Sequence, residues 1–476
     1  MLQLTHHFLT LGPAFSSPGQ IKPLKNAQLV FFNQKLATQL QLNFNDNKLI
    51  DQLVGKNPIP DALSMIYAGH QFGGFSPQLG DGRGLLLGEK LDHEGNLVDL
   101  HMKGSGTTPY SRRGDGRAVL RSSIREYLAS EAMYHLGIAS SRGLALFSSD
   151  EKVYRDHAET AAMLLRTAES HIRFGHFEYF FYQKKSAELD HLIDYCLNRY
   201  FSHQGTREKS IINMLETIVE NTAKMIAKWQ AVGFQHGVMN TDNMSILGDT
   251  IDYGPFGFME EYQPKWISNH SDYEGRYAFE RQPGVALWNL NCLCHCFSNL
   301  LSKEQLIGVL SQFESKLMTF DQQLVNAKLG LVTEQENDLH LFSSLLLLLE
   351  KEQLDYTCFW RDLSQMKNEG DRLILLAKVS DSHALDEWLN QYCHRRDQEK
   401  TSWDDIRVEM LKINPKYILR NYLAQAVIDA AQKNDYQVFN DVMSILEAPY
   451  DEHPELAHFS LPAQGEQKHI CVSCSS

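Results

Sequence analysis

Three side chains suited to metal and proton chemistry fall within one irregular, polar segment, residues 234–257. Asn243 and Asp252 supply hard oxygen ligands of the kind that Mg²⁺ or Mn²⁺ prefers. Asp242, one residue before Asn243, can accept a proton from a hydroxyl group; the alternative is a turn aspartate that caps the loop. The segment therefore predicts a site for metal-dependent group transfer.

The order of these residues follows the catalytic loop of protein kinases, H-R-D-x-x-x-x-N followed by D-F-G. His236 and Asn243 have that spacing, and Asp252-Tyr253-Gly254 stands where D-F-G is expected. Val238 occupies the position of the catalytic aspartate, and its side chain cannot accept a proton. The proton acceptor has therefore either moved to Asp242 or been lost.

Groups that bind phosphate precede this segment. The glycine-rich stretch GHQFGGFSPQLGDGRG, residues 69–84, allows backbone amides to approach a ligand and includes Arg83; a pair of tight turns is the alternative. Lys103 ends a predicted strand and Glu126 lies in the following predicted helix, the pairing that holds ATP phosphates in kinases. Each signal is weak alone, but their order along the chain is typical of a kinase-like site.

The elements that must position these residues follow from periodicity. LLLGEKL and LVDLHMK flank a turn at residues 93–96 and predict a hairpin, and a helix is predicted from Leu120 to the stop at Gly137. Strands are predicted over LALFSS, AAMLLRTA and SILGDTI. Beyond about residue 185 the pattern is helical, with one amphipathic stripe at Leu306, Leu310, Phe313, Leu317 and Phe320.

A sheet-rich part followed by a larger helical part predicts an α+β, protein-kinase-like fold of two lobes with a cleft between them. We expect residues 1–60 to form an N-terminal extension packed on the body and residues 61–182 the sheet-rich N-lobe. Residues 183–450 are expected to form the helical C-lobe with C-terminal helices, and residues 451–476 a flexible tail with a C-x-x-C motif.

Charge and composition exclude several classes of protein. The formal net charge of −14 argues against a general nucleic-acid binder, although a local cationic site remains possible. The longest apolar run, at residues 345–349, is far shorter than the ~20 residues that cross a bilayer. No basic residue precedes Lys22, so the start does not resemble a secretory signal. We expect a cytoplasmic monomer that binds neither nucleic acid nor membrane.

Cysteine forms two groups. Cys292, Cys294 and Cys296 surround His295, but alternate positions on a predicted helix cannot direct three sulfurs at one metal ion. Cys471 and Cys474 form a C-x-x-C pair that is a candidate redox switch, the alternative being an inert tail.

Long motifs then identify a family. YAGHQFGGFSPQLGDGRG, KGSGTTPYSRRGDGRAVLRSSIREYL, HGVMNTDNMSILGDTIDYGPFGF, NPKYILRNYLAQAVIDAA and the C-x-x-C-S-S tail resemble the selenoprotein O family over nearly the whole chain. The resemblance implies a kinase-like fold whose nucleotide lies inverted relative to ordinary kinases. It implies transfer of AMP from ATP to Ser, Thr or Tyr hydroxyls of proteins, or of UMP from UTP, with Mg²⁺ or Mn²⁺.

The resemblance also assigns residues. Asp242 is the implied proton acceptor, Asn243 and Asp252 are the metal ligands, and Glu126 is the partner of Lys103. Some members carry selenocysteine where this chain has Cys474, which leaves only thiol–disulfide chemistry, with Cys471 or another cysteine, at the tail. The implied nucleotide contacts, which also include Asp252, are Gly80, Gly82, Arg83, Lys103, Asp115, Gly116, Arg166 and Arg173.

Two other functions remain open at this stage. A phosphotransferase with Asp242 as its base would use the same residues, and Arg166 and Arg173 would then be ordinary salt-bridge partners. A pseudokinase scaffold that binds ATP without catalysis is favoured by Val238 alone. The intact Lys103, Asn243 and Asp252 argue against a scaffold, which has no need of a metal-bound triphosphate.

Overall fold

The computed structural model describes residues 2–155, 157–203, 205–470 and 472–473. Its strands lie mainly in the first part of the chain: β1 (Ser16–Pro18), β2 (Gln28–Phe32), β3 (Leu63–Met65), β4 (Gly69–Gln71), β5 (Gly74–Ser76), β6 (Gly84–Leu91), β7 (Leu97–Lys103), β8 (Ala118–Val119), β9 (Arg142–Tyr154), β10 (Ala158–Ala168), β11 (Phe234–Gln235) and β12 (Gly257–Phe258).

Helices dominate the rest of the described chain. They are α1 (Gln34–Gln39), α2 (Asn47–Leu53), α3 (Leu120–His135), α4 (Phe174–Tyr182), α5 (Ser186–Arg199), α6 (Arg207–Ala231), α7 (Gln282–His295), α8 (Lys303–Leu310), α9 (Gln312–Leu329), α10 (Asp338–Glu352), α11 (Tyr356–Gln365), α12 (Leu373–Leu376), α13 (Ser382–Arg396), α14 (Trp403–Ile413), α15 (Asn421–Ala431) and α16 (Gln437–Glu447). The predicted α+β class, with an antiparallel sheet before a mostly helical region, is confirmed.

The main sheet runs in the order β1-β3-β6-β7-β10-β9-β2, with β8 paired to β10. The predicted β6–β7 hairpin is confirmed, and its register pairs Gly84 with Lys103. Side chains alternate between two cores: Leu86 faces α3, whereas Leu85 and Leu87 face the core that contains α1 and α2. Both edge strands, β1 and β2, come from the first 60 residues, so the N-terminal segment completes the sheet.

Helix α3 packs on the sheet and begins and ends as predicted. Gly137, with φ +74°, terminates it in the left-handed region where glycine is favoured. Arg125 ties the helix to the segment beyond Asp252, because its guanidinium donates to the Phe256 carbonyl at 2.8 Å and lies 4.5 Å from the centre of the Phe256 ring. This anchoring places Glu126, on the same turn, beside the strand that carries Lys103.

Two details of the predicted elements are wrong. The amphipathic stripe at residues 306–320 is divided between two helices, because α8 ends at Leu310 and α9 begins at Gln312. The stretch SILGDTI forms no strand; instead Thr250 makes isolated bridges to Ser140 and Met244. That segment has too few successive backbone pairs for a ladder and serves as a loop that leads to Asp252.

The described part of the C-terminal segment contacts the helical region. The Arg361 guanidinium donates to the Glu452 carboxylate at 2.8 Å, and Val472 bridges to Asn269. Cys471 and Cys474, the redox candidates, lie outside the described residues. Among the helices that the structure describes, none has the length and apolar character needed to span a membrane.

Candidate active site

The loop between β11 and Asp252 is fixed by backbone and side-chain contacts. The His236 ring nitrogen Nε2 lies 2.9 Å from the Ile251 carbonyl oxygen, so the start and end of the loop are held together. The Val238 carbonyl accepts a hydrogen bond from the Asn243 amide at 2.9 Å. Val238, which replaces the kinase aspartate, therefore acts through its backbone carbonyl. Because that carbonyl holds the amide nitrogen of Asn243, the amide oxygen of Asn243 points away from Val238.

Asp252 lies at the centre of the candidate site. Its two carboxylate oxygens accept hydrogen bonds from Arg166 and Arg173, each at 2.6 Å. Its backbone has φ +56°, in the left-handed region that non-glycine residues adopt rarely and that is often associated with functional sites. Burial alone would raise the pKa of Asp252, but Arg173, Arg166 and Lys103 together hold that pKa well below its usual value.

Lys103 and Glu126 form the predicted ion pair. The other oxygen of Glu126 accepts a hydrogen bond from Arg166 at 2.8 Å, so one carboxylate holds two cations. The Glu126 side chain is only 1% exposed. Burial would raise the pKa of Glu126, but Lys103 and Arg166 lower it, so the carboxylate stays ionised. The pairing positions Lys103 and Arg166 on one carboxylate, and the same Arg166 nitrogen also donates to Asp252.

Arg166 makes a third contact, with His101, a residue that the sequence did not predict to be part of the site. Its guanidinium donates to the His101 ring nitrogen Nδ1 at 3.1 Å, and His101 Nε2 faces the Asp81 carboxylate at 3.3 Å. Burial lowers the pKa of His101 to about 4, so the ring is neutral and can accept this bond. Side chains alternate between the two faces of β7, which places His101 on the same face as Lys103. This alternation is the sequence signal that could have identified His101 as part of the site.

The buried cations of the cluster favour an anionic ligand. Lys103, Arg166 and Arg173 form ion pairs with Glu126 and Asp252. Burial would raise the pKa of Asp81, but His101 and Arg173 lower it, so Asp81 is a third ionised carboxylate near Arg173. The three cations lie in a desolvated region, where each charge acts more strongly than in water. A polyphosphate supplies several negative oxygens and matches guanidinium groups in shape. The cluster has the chemistry of a polyphosphate-binding site.

Asp242 lies against this cluster. Arg173 donates to the Asp242 backbone carbonyl at 2.7 Å. On the side chain, Oδ2 accepts a hydrogen bond from the Gln71 amide at 3.0 Å, whereas buried Oδ1 has no hydrogen-bond partner among the described residues. Burial raises the pKa of Asp242 to about 6. A carboxylate with this environment is well suited to accept a proton near neutral pH.

The first half of the glycine-rich stretch forms a hairpin. Residues 69–76 make up β4 and β5, which lie on the loop that carries Asp242. The His70 backbone amide donates to the Thr241 hydroxyl at 2.7 Å, and a side chain added at Gly69 would lie 2.5 Å from Asp242 Oδ1. Glycine at position 69 is therefore needed to admit the carboxylate. The tight-turn interpretation describes this half of the stretch correctly.

The second half leads directly into β6. Gly80 has φ +122°, and a side chain there would meet the Tyr110 ring at 2.7 Å, so glycine is required by both conformation and packing. Arg83 is exposed at the end of this loop. Its positive charge contributes to lowering the pKa values of both Lys103 and Asp115, which places Arg83 within electrostatic reach of both.

Asp115 and Gly116 lie on a separate loop at the edge of the site. The Asp115 carboxylate accepts hydrogen bonds from Arg155 at 2.7 and 3.0 Å. The Gly116 carbonyl accepts from the Gly106 amide at 3.0 Å. Asp115 lines a cavity of about 410 Å³ that also includes Lys22 and Glu151. Gly106 lies three residues beyond Lys103, so this hydrogen bond and the charge of Arg83 connect the two predicted contacts with the buried cluster.

The donor set fits a hard divalent cation. Asn243 presents an amide oxygen whose orientation is set by Val238, and Asp252 presents a carboxylate that stays ionised. Oxygen ligands of this kind suit Mg²⁺ and Mn²⁺. Buried Asp242 Oδ1, without a partner in the described chain, adds a further oxygen beside them. Cationic side chains around oxygen donors of this kind are characteristic of enzymes that act on metal-bound polyphosphates.

Comparison with known proteins identifies the family. The model of the family "Protein adenylyltransferase SelO" matches residues 1–447. A protein from Marinomonas sp. (strain MWYL1) named "Protein nucleotidyltransferase YdiU" is 54% identical over 99% of this chain and 100% of its own length. Proteins of the same name from Aliivibrio salmonicida and Vibrio cholerae are each 46% identical over 100% of this chain and 99% of theirs. The chain belongs to the SelO family of protein adenylyltransferases.

Proposed function

We propose that this protein transfers AMP from ATP to Ser, Thr or Tyr hydroxyls of protein substrates and releases pyrophosphate. Membership of the SelO family and similarity to proteins named nucleotidyltransferases support this activity. The observation that carries the proposal is the convergence of Arg166 and Arg173 on Asp252, next to a buried Asp242 with an unpartnered oxygen. Transfer of UMP from UTP would use the same phosphate and proton chemistry.

In the proposed reaction the substrate hydroxyl gives its proton to Asp242 Oδ1. The hydroxyl oxygen forms a bond to the α-phosphorus, and the bond between that phosphorus and the bridging oxygen to the β-phosphate breaks. Pyrophosphate carries away the electron pair, and Asp242 later returns its proton to solvent. Gln71 keeps the carboxylate turned toward the hydroxyl through its bond to Oδ2.

The cations hold the triphosphate during this step. Arg166 and Arg173 would exchange Asp252 for the β- and γ-phosphate oxygens, and Lys103, fixed by Glu126, would hold a neighbouring oxygen. With the outer phosphates on the buried arginines, the α-phosphorus faces Asp242, which is the inverted orientation. Asn243 and Asp252 would hold Mg²⁺ or Mn²⁺, which supplies charge neutralisation when bound.

We further propose that the α+β chain is a kinase-like fold of two lobes, with boundaries near residues 61–182 and 183–450. The ion pair between a strand lysine and a helix glutamate supports this arrangement, as does the order of Asn243 and Asp252 after it. Within it, Gly80, Gly82, Arg83, Asp115 and Gly116 would contact the nucleotide from the outer edge of the site.

Labelled ATP separates this function from its alternatives. With divalent metal and a protein acceptor, label in the α-phosphate is expected to enter protein, and label in the γ-phosphate is expected to leave as pyrophosphate. Incorporation from the γ position alone would establish a phosphotransferase. Absence of incorporation from either position, with ATP still bound, would establish a scaffold and overturn the proposal.

Substitution of Gly69 in the β4–β5 hairpin by alanine tests the contact between this hairpin and Asp242, the proposed proton acceptor. Gly69→Ala is expected to lower the rate of transfer by about 10²-fold, because the added Cβ would lie 2.5 Å from Asp242 Oδ1 and displace the carboxylate from its position. Steady-state rates with saturating ATP measure the effect. Gly74→Ala is the matched control in the same hairpin, since its nearest contact would be an ordinary 3.6 Å. Equal losses in the two variants would contradict the assignment of Asp242.

A further inference from the structure

A second group of metal-ligating side chains lies beside the catalytic loop. Three different elements contribute to it: His70 comes from β4, Glu178 from α4 and Cys292 from α7. One ligand atom from each residue, namely a ring nitrogen, a carboxylate oxygen and the sulfur, lies within 4.8 Å of the other two. None of these three residues has a place in the proposed transfer reaction.

The group is buried and held in position. His70 Nδ1 lies 2.5 Å from the Glu178 carboxylate, and the second oxygen of Glu178 accepts a hydrogen bond from the Thr241 hydroxyl. The Glu178 side chain is fully buried, whereas 14% of the His70 side chain is exposed, so an ion can enter from the His70 side. The rings of Trp288 and Tyr182 surround His70 at 5.3 and 6.0 Å between ring centres. Apolar walls of this kind strengthen an interaction between a cation and a carboxylate.

Of the three neighbouring cysteines, only Cys292 contributes its sulfur to this group. Cys296, the residue that follows α7, directs its thiol to the Cys292 carbonyl at 3.4 Å. Cys294 is buried, and its side chain lies on a different side of the helix because of the spacing of two residues. The three cysteines therefore do not form a cluster together, as the sequence predicts, and only one of them reaches the histidine and glutamate.

We propose that His70, Glu178 and Cys292 form a binding site for a transition-metal ion of the Zn²⁺ class. Nitrogen, oxygen and sulfur donors together select such ions over Mg²⁺, which takes oxygen ligands. Three protein ligands leave a fourth tetrahedral position for water. Ligand atoms around tetrahedral zinc lie about 3.5 Å apart, so His70 Nδ1 and the Glu178 oxygen need to separate from 2.5 Å, and the sulfur needs to approach from within 4.8 Å; side-chain rotation provides both movements. On binding, the Cys292 thiol releases its proton to solvent, and His70 coordinates through a ring nitrogen that carries no proton.

Cobalt(II) is the probe, because a thiolate ligand gives it a charge-transfer band in the near ultraviolet. The full chain carries Cys471→Ser and Cys474→Ser, which removes the tail thiols from the signal. We expect one Co²⁺ per chain to produce this band, and excess Zn²⁺ to abolish it. Any Co²⁺ at Asn243 and Asp252 has only oxygen ligands and gives no such band.

Variants assign the band to the three residues. Cys292→Ala and Cys292→Ser are each expected to abolish it and to weaken Co²⁺ binding by at least about 100-fold, since loss of an outer-shell partner alone costs 10–100-fold. Cys294→Ala, two positions away on the same helix, should keep both band and affinity. Circular dichroism establishes that each variant is folded. Absence of the band in the parent chain, or its persistence in both folded Cys292 variants, would overturn the proposal.

Discussion

Asp242→Asn is expected to lower the rate of AMP transfer by about 10³-fold while leaving the affinity for ATP within about twofold. The substitution keeps the size of the side chain and the contact with Gln71 but removes the basic oxygen, and general-base catalysis contributes roughly 10²–10⁴-fold. ATP affinity is retained because Arg173 contacts the backbone carbonyl of residue 242 and not its side chain. The measurements are incorporation of α-label at saturating ATP and calorimetric binding of ATP.

Asp249→Asn is the matched control for this substitution. Burial raises the pKa of Asp249 to about 6, as it does for Asp242, and the two residues lie on the same loop. Asp249 makes no contact with Arg173 or Gln71 among the described hydrogen bonds, so its variant should retain transfer within about threefold. If Asp242→Asn retained most of the activity, or if both variants lost it equally, Asp242 would not be the proton acceptor.

Local patterns predicted the frame of the site because each depends on nearby residues. The β6–β7 hairpin follows from alternation around a turn, and α3 follows from helical spacing with Gly137 as its stop. Together they place Lys103 beside Glu126. The boundary between α8 and α9 was missed, because a helical stripe continues across a local break that periodicity does not register.

Contacts between distant segments were not available from such patterns. The β4–β5 hairpin contacts Thr241 and Asp242 from about 170 positions earlier in the chain, and a glycine-rich string has the same composition whether it binds phosphate or turns back on a protein loop. The same limit applies to Glu178 and Cys292, which carry no motif. His70 belongs to a family motif, but only the three-dimensional structure brings it to those two side chains.

Asp252→Ala is expected to abolish metal-dependent transfer, with a loss of about 10³-fold or more, and to destabilise the protein. The variant loses a proposed metal ligand, and Arg166 and Arg173 are left as neighbouring buried cations. Removing one partner of a buried ion pair costs about 3–5 kcal/mol, and since the Asp252 side chain is 25% exposed we expect a smaller loss of about 2–3 kcal/mol in unfolding free energy. Urea denaturation measures this loss.

Nucleotide binding distinguishes the two consequences of this substitution. In the parent protein Asp252 competes with phosphate for Arg166 and Arg173, so metal-free ATP should raise the unfolding midpoint of Asp252→Ala at least as much as that of the parent. Glu131→Ala is the control for destabilisation alone, because Glu131 is a buried partner of Arg142 away from the site. It should lose stability but keep transfer per folded molecule. Full activity in Asp252→Ala, or failure of ATP to stabilise it, would show that the arginines and Asp252 do not share a polyphosphate site.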